Sequence, residues 1–189
     1  AWPFRNFSFY SNALGRMGLN PAPKTALAPP LERPKVMHVI TGLGTGGAEK
    51  MLFDLATTNC HEGEPPILVS LLPGGARHDS LVKAGVQVEE VGLVRGKPGL
   101  RGLFRLVGLI RAEKPDIIQS WMYHADLYSL IALILSGRRR QTRLYWGIRC
   151  SNMDTTHYSI ALRLVIRLCA WLSFLPNGMV ANSIKGRSW

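Results

Sequence analysis

The sequence predicts an α/β fold in which a doubly wound parallel sheet of about six strands is flanked by helices. Short apolar runs alternate with segments of helical periodicity from Val36 to the end of the chain. The first apolar run, residues 36–41, leads into a glycine-rich turn and then into apolar residues at helical spacing. A strand, a turn and a helix in this order place unpaired backbone N–H groups at the carboxyl edge of the sheet, where this topology binds ligands.

The remaining elements follow in regular alternation. The predicted strands are residues 36–41, 67–72, 86–91, 117–121, 143–148 and 179–182, and the predicted helices are 48–58, 79–84, 100–113, 125–135 and 158–174. Residues 86–91 alternate apolar and polar side chains, which predicts a half-exposed edge strand. Residues 1–34 contain six of the 12 prolines and no periodic pattern, which predicts a flexible tail before a single domain at 35–189.

The positive charge is concentrated in the middle of the chain. The formal net charge is +11, and residues 95–149 hold eleven Lys or Arg against three acidic residues, a local net charge of +8. Such a segment favours anionic partners: phosphorylated ligands, an anionic membrane surface or nucleic acid. Nucleic acid is the least favoured of these, since the basic residues lack interleaved aromatics and form no recognition motif.

The cysteines and the apolar segments bear on the cellular setting. Cys60, Cys150 and Cys169 are far apart, odd in number and without metal-ligand spacing, which indicates a reducing, cytoplasmic setting and no metal site. The longest apolar stretch, residues 158–176, contains Arg163 and Arg167, so it is not expected to span a membrane. The first 34 residues lack the central apolar run of a signal peptide.

The glycine turn alone leaves several ligand classes open. Gly42, Gly44 and Gly47 have the spacing of a dinucleotide-binding turn, which keeps a nicotinamide-dependent oxidoreductase as one alternative. That reaction requires an acidic residue at the end of the second strand, where this sequence has Leu71, Leu72 and a Pro-Gly-Gly segment instead. A non-catalytic anion-binding module is a second alternative. A P-loop is excluded because no Gly-Lys-Ser/Thr follows.

Several segments together resemble glycosyltransferase family 4, the retaining sugar transferases of GT-B architecture. They are the turn GLGTGGAEK at 42–50, KPDIIQSWMYHADL at 114–127, WGIR at 146–149 and ANSIKGR at 181–187. The resemblance implies that residues 35–189 are a Rossmann-like N-terminal domain, one half of a GT-B architecture, which binds mainly the acceptor. The family's donor-site pair of glutamates eight positions apart does not occur in this sequence, so the C-terminal donor domain is expected to be absent.

The resemblance also implies roles for individual residues. A nucleotide-sugar would be a substrate, no cofactor or metal would be needed, and the acceptor would be a glycan, a lipid-linked sugar or a small molecule. His124 would contact the transferred sugar as the catalytic residue. Gly46, Gly47 and Arg149 would bind the donor phosphates, and Glu49, Ser183 and Lys185 would lie in the cleft or touch the acceptor.

Basic residues also predict peripheral attachment to an anionic membrane surface, at the inner face of the membrane. The candidates for this contact are Arg101, Arg105, Arg138, Arg139 and Arg140. The predicted last helix adds an apolar face beside Arg163 and Arg167, for which ordinary packing within the domain is the favoured interpretation.

Overall fold

The structure, a computed structural model, describes residues 34–61, 65–94, 99–148 and 160–181. The predicted tail lies outside this part of the chain except for its last residue, Pro34. Arg149, Ser183 and Lys185 also lie outside it.

One parallel sheet of six strands forms the centre of the described domain. The strands are β1 (Val36–Ile40), β2 (Ile67–Ser70), β3 (Gln87–Glu90), β4 (Ile117–Trp121), β5 (Arg143–Ile148) and β6 (Gly178–Ala181). Their spatial order is β3-β2-β1-β4-β5-β6, and every neighbouring pair is parallel. The predicted doubly wound Rossmann-like fold is therefore confirmed, and the segment predicted as an edge strand is β3, at one edge of the described sheet.

The described residues include five helices between the strands. They are α1 (Gly47–His61), α2 (His78–Lys83), α3 (Leu100–Glu113), α4 (Tyr123–Leu135) and α5 (Ile160–Trp171). Most boundaries differ from the predicted ones by one to three residues, as is usual for fraying ends. The backbone hydrogen bonds from Leu71 to Ile40 and from Leu72 to Thr41 continue the β1–β2 pairing beyond β2, where the sequence predicted more strand.

The helices form two layers, one on each side of the sheet. Leu52 and Ala56 of α1 and Leu81 of α2 belong to one buried apolar cluster. The apolar stripe of α3 joins residues of α4 and α5 in the other cluster, on the opposite side. Burial of each aliphatic side chain contributes about 1.5–3 kcal/mol to the free energy of folding. The two clusters therefore hold helices against both faces of the sheet, which leaves the sheet at the centre of the domain. None of the described helices has the length and hydropathy that crossing a bilayer demands.

Candidate functional site

A cavity of about 200 Å³ lies where β1, β2 and β4 end. Strand β1 leads into α1 on one side of the sheet and β4 leads into α4 on the other, so the chain diverges between these two neighbouring strands. Such a topological switch point is the usual ligand site of open α/β sheets. The described residues that line the cavity are Thr41, Gly42, Leu43, Gly44, Glu49, Leu72, Pro73, Gly75 and Met122.

The glycine turn is folded around the side chain of Glu49. A Cβ atom added to Gly46 would lie 2.5 Å from Oε2 of Glu49, and one added to Gly44 would lie 3.6 Å from Oε1. Glu49 is in the first turn of α1, where a carboxylate is stabilised by the helix dipole. A side chain at Gly46 would displace the Glu49 carboxylate, whereas a Cβ on Gly47 would meet nothing within 4 Å.

The loop after β2 packs against this turn. Gly75 has φ +125°, and a Cβ there would lie 2.5 Å from the backbone oxygen of Leu43. The same oxygen accepts a hydrogen bond from the backbone N–H of Arg77 at 3.1 Å. On the other side of the loop, the Gly74 N–H donates to Oε1 of Glu90 at 2.7 Å. These contacts hold the β2 loop as one wall of the cavity.

Met122 forms the opposite wall with an unusual backbone conformation. Its φ of 78° and ψ of 152° fall in a region that residues other than glycine rarely adopt. This conformation lets α4 begin two residues after β4, earlier than the sequence predicted, and places Tyr123 and His124 in its first turn. Strain of this kind persists only where the surroundings impose it, and it is concentrated at functional sites.

His124 lies at the same edge of the sheet but is not among the described residues that line the cavity. It is half-buried, and this burial lowers its pKa below the ordinary value of 6.5. A neutral imidazole can donate one hydrogen bond and accept another, which suits contact with a sugar hydroxyl or a leaving oxygen.

A buried polar pair fixes the start of α4 beneath His124. The hydroxyl of Ser120, at 0% exposure, donates to Oδ1 of Asp126 at 2.5 Å, and Asp126 is 3% exposed. Cys169 of α5 packs nearby, and burial followed by the charge of Asp126 raises its pKa to about 12. Asp126 is in the first turn of α4, so the helix dipole also favours its charge.

The basic residues predicted to face a membrane lie away from this cavity. Arg101 and Arg105 are exposed on α3, and Arg140 is exposed in the turn after α4. Arg139 is partly buried, and its guanidinium donates to the backbone oxygen of Leu175. Arg139 therefore links this turn to the segment before β6, a structural role that the sequence did not indicate.

Five of the described residues that line the cavity were not predicted from the sequence to contact ligand: Thr41, Leu72, Pro73, Gly75 and Met122. Thr41 and Met122 each follow directly on a strand, which is the signal that could have found them. The sequence predicted Leu72 to be part of the second strand. Strand β2 ends at Ser70, so Leu72 lies beyond it, in the wall of the cavity. Of the residues predicted to contact ligand and described here, Glu49 alone lines the cavity.

The fold of this chain is shared with several solved structures. HepE of Anabaena in complex with UDP superposes with a TM-score of 0.61 at 18% identity, over 82% of this chain and 39% of HepE. MurG of Acinetobacter baumannii gives 0.55 at 15% identity over 80% of this chain and 43% of MurG. A glycosyltransferase from Rickettsia africae gives 0.50 at 18% identity, over 70% of this chain and 35% of that protein.

These similarities concern the fold. HepE has also been solved with UDP-glucose, and that structure superposes with a TM-score of 0.62. No family model and no curated protein matches the sequence. The chain spans about two fifths of the length of HepE and MurG.

Proposed function

We propose that this chain is the N-terminal, acceptor-side part of a retaining glycosyltransferase of family 4. The enzyme would move a sugar from a nucleotide-sugar donor to a glycan, lipid-linked or small-molecule acceptor, without a cofactor or metal. The observation that carries the proposal is the cavity at the β1/β4 switch point, in a fold shared with HepE bound to UDP-glucose and with a glycosyltransferase. The sequence resemblance supports the family as well, and two of its segments, residues 42–50 and 114–127, contribute residues to the lining of this cavity.

The proposal assigns a role to each predicted residue. Retaining transfer requires that the leaving nucleotide diphosphate is held and its developing charge stabilised, an electrostatic contribution that is often the largest in catalysis. Gly46, Gly47 and Arg149 would contribute one side of that phosphate site. His124 would contact the reacting sugar, and Glu49, Ser183 and Lys185 would face the acceptor. Groups that bind the nucleotide base would belong to a second domain.

The nicotinamide alternative finds less support in the cavity. A dinucleotide's ribose hydroxyls need a carboxylate at the end of β2. Leu72 and Pro73 occupy that wall of the cavity. The carboxylate of Glu90 is hydrogen-bonded to this loop, where it already accepts the N–H of Gly74.

We also propose that the layer of α3, α4 and α5 faces an anionic membrane. Large apolar side chains are exposed on all three helices, and on α5 and the turn after it Ile160, Trp171 and Phe174 are 84%, 72% and 73% exposed. Exposed arginines accompany them on α3 and α5. The opposite layer, α1 and α2, differs in both respects. Among its described residues Val82 is the one large apolar side chain that is exposed, and its acidic and basic side chains are mixed. An apolar, cationic face fits an anionic lipid surface.

The test of the function is sugar transfer. We expect the 189-residue chain to fold, to bind nucleotide-sugar weakly and to transfer no sugar, whereas the chain extended by its own coding sequence should consume a nucleotide-sugar donor. In that longer protein, His124→Ala should lower turnover on the order of 10²-fold while donor affinity, measured by calorimetry, changes little. An active 189-residue chain, or an unchanged rate for His124→Ala, would show that the site is misplaced.

A further inference from the structure

The chain changes sides of the sheet at a single residue, Met122. The side chain of Trp121, the last residue of β4, packs in the apolar cluster of α1 and α2, and its Nε1 donates to Nδ1 of His38 at 3.3 Å. Helix α4 packs in the cluster on the opposite face and begins directly after Met122. Met122 makes this reversal with a φ of 78° and a ψ of 152°, a combination that is unfavourable for any residue except glycine.

Relief of this strain would unwind the first turn of α4. With a negative φ at Met122 the helix would begin later, near residue 125, where the sequence pattern predicts its start. His124 would then lie before the helix rather than in its first turn. The strain at Met122 therefore acts on the turn that carries this histidine.

Asp126 holds the turn through both its side chain and its backbone. Its Oδ1 accepts a hydrogen bond from the Ser120 hydroxyl at 2.5 Å, and its backbone N–H donates to the oxygen of Met122 at 3.0 Å. Asp126 is 3% exposed, and replacing buried charges by apolar groups is often neutral or stabilising. Packing alone therefore does not account for a carboxylate at position 126.

His124 lies between Met122 and Asp126, and its ionisation reports on the turn. It is half-buried, and this burial lowers its pKa below 6.5. Unwinding of the turn would return the ring to solvent and raise its pKa toward that value.

We propose that Asp126 is a positioning residue for sugar transfer: its hydrogen bond with Ser120 holds the first turn of α4 against the strain at Met122, and this keeps His124 in place at the carboxyl edge of the sheet. Asp126 is not among the described residues that line the cavity, so it would act through His124. The inference rests on the proposed function, in which His124 contacts the reacting sugar.

The first experiment follows the His124 ring protons and the amide at position 126 by NMR in the labelled 189-residue chain, with His124→Gln to assign the ring signals. Asp126→Ala should raise the pKa of His124 toward 6.5, and it should lower the protection of that amide against hydrogen exchange at least about tenfold. Loss of a nearby carboxylate by itself would lower the pKa of an imidazole, so a rise reports exposure of the ring.

Three further variants assign the effect to the hydrogen bond. Asp126→Asn retains an oxygen that can accept from Ser120 and should leave the pKa and the protection close to native. Ser129→Ala is the matched control, because it removes another fully buried polar side chain from α4, and it should also change neither quantity. Ser120→Ala removes the donor and should act like Asp126→Ala, which keeps the test decisive if Asp126→Ala does not fold.

A second pair of variants tests whether strain is the opposing force. Combined with Asp126→Ala, Met122→Gly should restore most of the lost protection, because glycine adopts a positive φ without strain. Met122→Ala in the same combination also shortens the side chain but keeps the strain, so it should restore none. Equal rescue by the two substitutions would overturn the inference, as would equal effects of Ser129→Ala and Asp126→Ala on His124.

In the extended protein, Asp126→Ala should lower kcat about tenfold while the donor affinity measured by calorimetry changes little, and Asp126→Asn should keep kcat within about threefold of native. An active extended protein whose kcat is unaffected by Asp126→Ala would overturn the inference and leave the proposed function intact. An extended native protein that transfers no sugar would refute the proposed function, and with it this role of Asp126, even with the expected NMR results.

Discussion

The hydroxyl of Ser120 on β4 donates to the carboxylate of Asp126 on α4 at 2.5 Å, and both residues are almost completely buried. This contact joins the end of a central strand to the first turn of the helix that carries His124. A buried carboxylate is stable only where donors and dipoles compensate its lost hydration. The buried hydrogen bond between Ser120 and Asp126, rather than a contact at the surface, therefore fixes the start of α4.

We predict that Ser120→Ala destabilises the domain by roughly 1.5–3 kcal/mol, because a hydrogen bond to a buried charge is lost. Urea denaturation measures this change. Ser80→Ala, at an exposed position on α2, is the control and should shift the free energy of unfolding by less than about 0.5 kcal/mol. Equal effects of the two substitutions would mean that Asp126 does not depend on Ser120.

Gly74 and Gly75 are adjacent in the loop after β2. Replacing each by alanine compares the cost of backbone strain alone with the cost of strain and a steric clash together. Gly74→Ala should cost about 1 kcal/mol, since its φ is +63° and a Cβ would meet nothing within 4 Å. Gly75→Ala should cost about 2–5 kcal/mol, since its Cβ would also press on the backbone of Leu43. Thermal unfolding of both variants tests this order, and a smaller loss for Gly75→Ala would contradict the packing of the loop on the glycine turn.

Cys169 should be chemically inert in the native protein. Burial, and then the charge of Asp126, raises its pKa from 9.0 to about 12, so its thiolate fraction near pH 8 falls about 10³-fold. With Cys60 and Cys150 replaced by serine, a disulfide reagent should modify the native chain negligibly and one thiol after denaturation. Rapid native modification would show that the Cys169 thiol of α5 is not buried against α4.

The burial of His124 should make stability depend on pH. Its pKa is lowered below 6.5 in the folded state, so the unfolded chain binds the proton more readily. The resulting stability is fully present above pH 6.5 and is lost as the pH falls through the folded-state pKa. His124→Gln should flatten this part of the urea-denaturation profile. Glu113, whose pKa is lowered mainly by its hydrogen bond from Lys35, titrates in both proteins and cancels in the comparison.

Membrane attachment predicts a dependence on lipid charge and on α5. Vesicles with anionic lipid should bind the chain, and binding should weaken as salt exceeds ~0.15 M, where the screening length is about 8 Å. Replacing both Trp171 and Phe174 by serine should reduce binding, whereas Val82→Ser, in the opposite helix layer, should not. Flotation assays measure this, and equal binding to neutral vesicles would contradict the proposal.

The fold could be predicted from the local pattern of apolar residues because helices cover both faces of the parallel sheet. Buried strands read as continuous apolar runs, and the alternation in residues 86–91 identified the edge strand β3 correctly. Helix α4 was predicted to start at residue 125 and begins at Tyr123. The backbone of Met122 makes that early start possible with a positive φ, which no propensity predicts for methionine.

Local sequence patterns predict the alternation of strands and helices, the glycine turn and the residues that resemble a sugar transferase. Which residues meet in one cavity depends on the tertiary structure. Thr41, Leu72 and Met122 are separated along the chain and become neighbours only because β1 lies between β2 and β4. The placement of the Glu49 carboxylate against the glycine turn likewise depends on how α1 packs, because a side chain's direction is set by its contacts and not by its position in a motif.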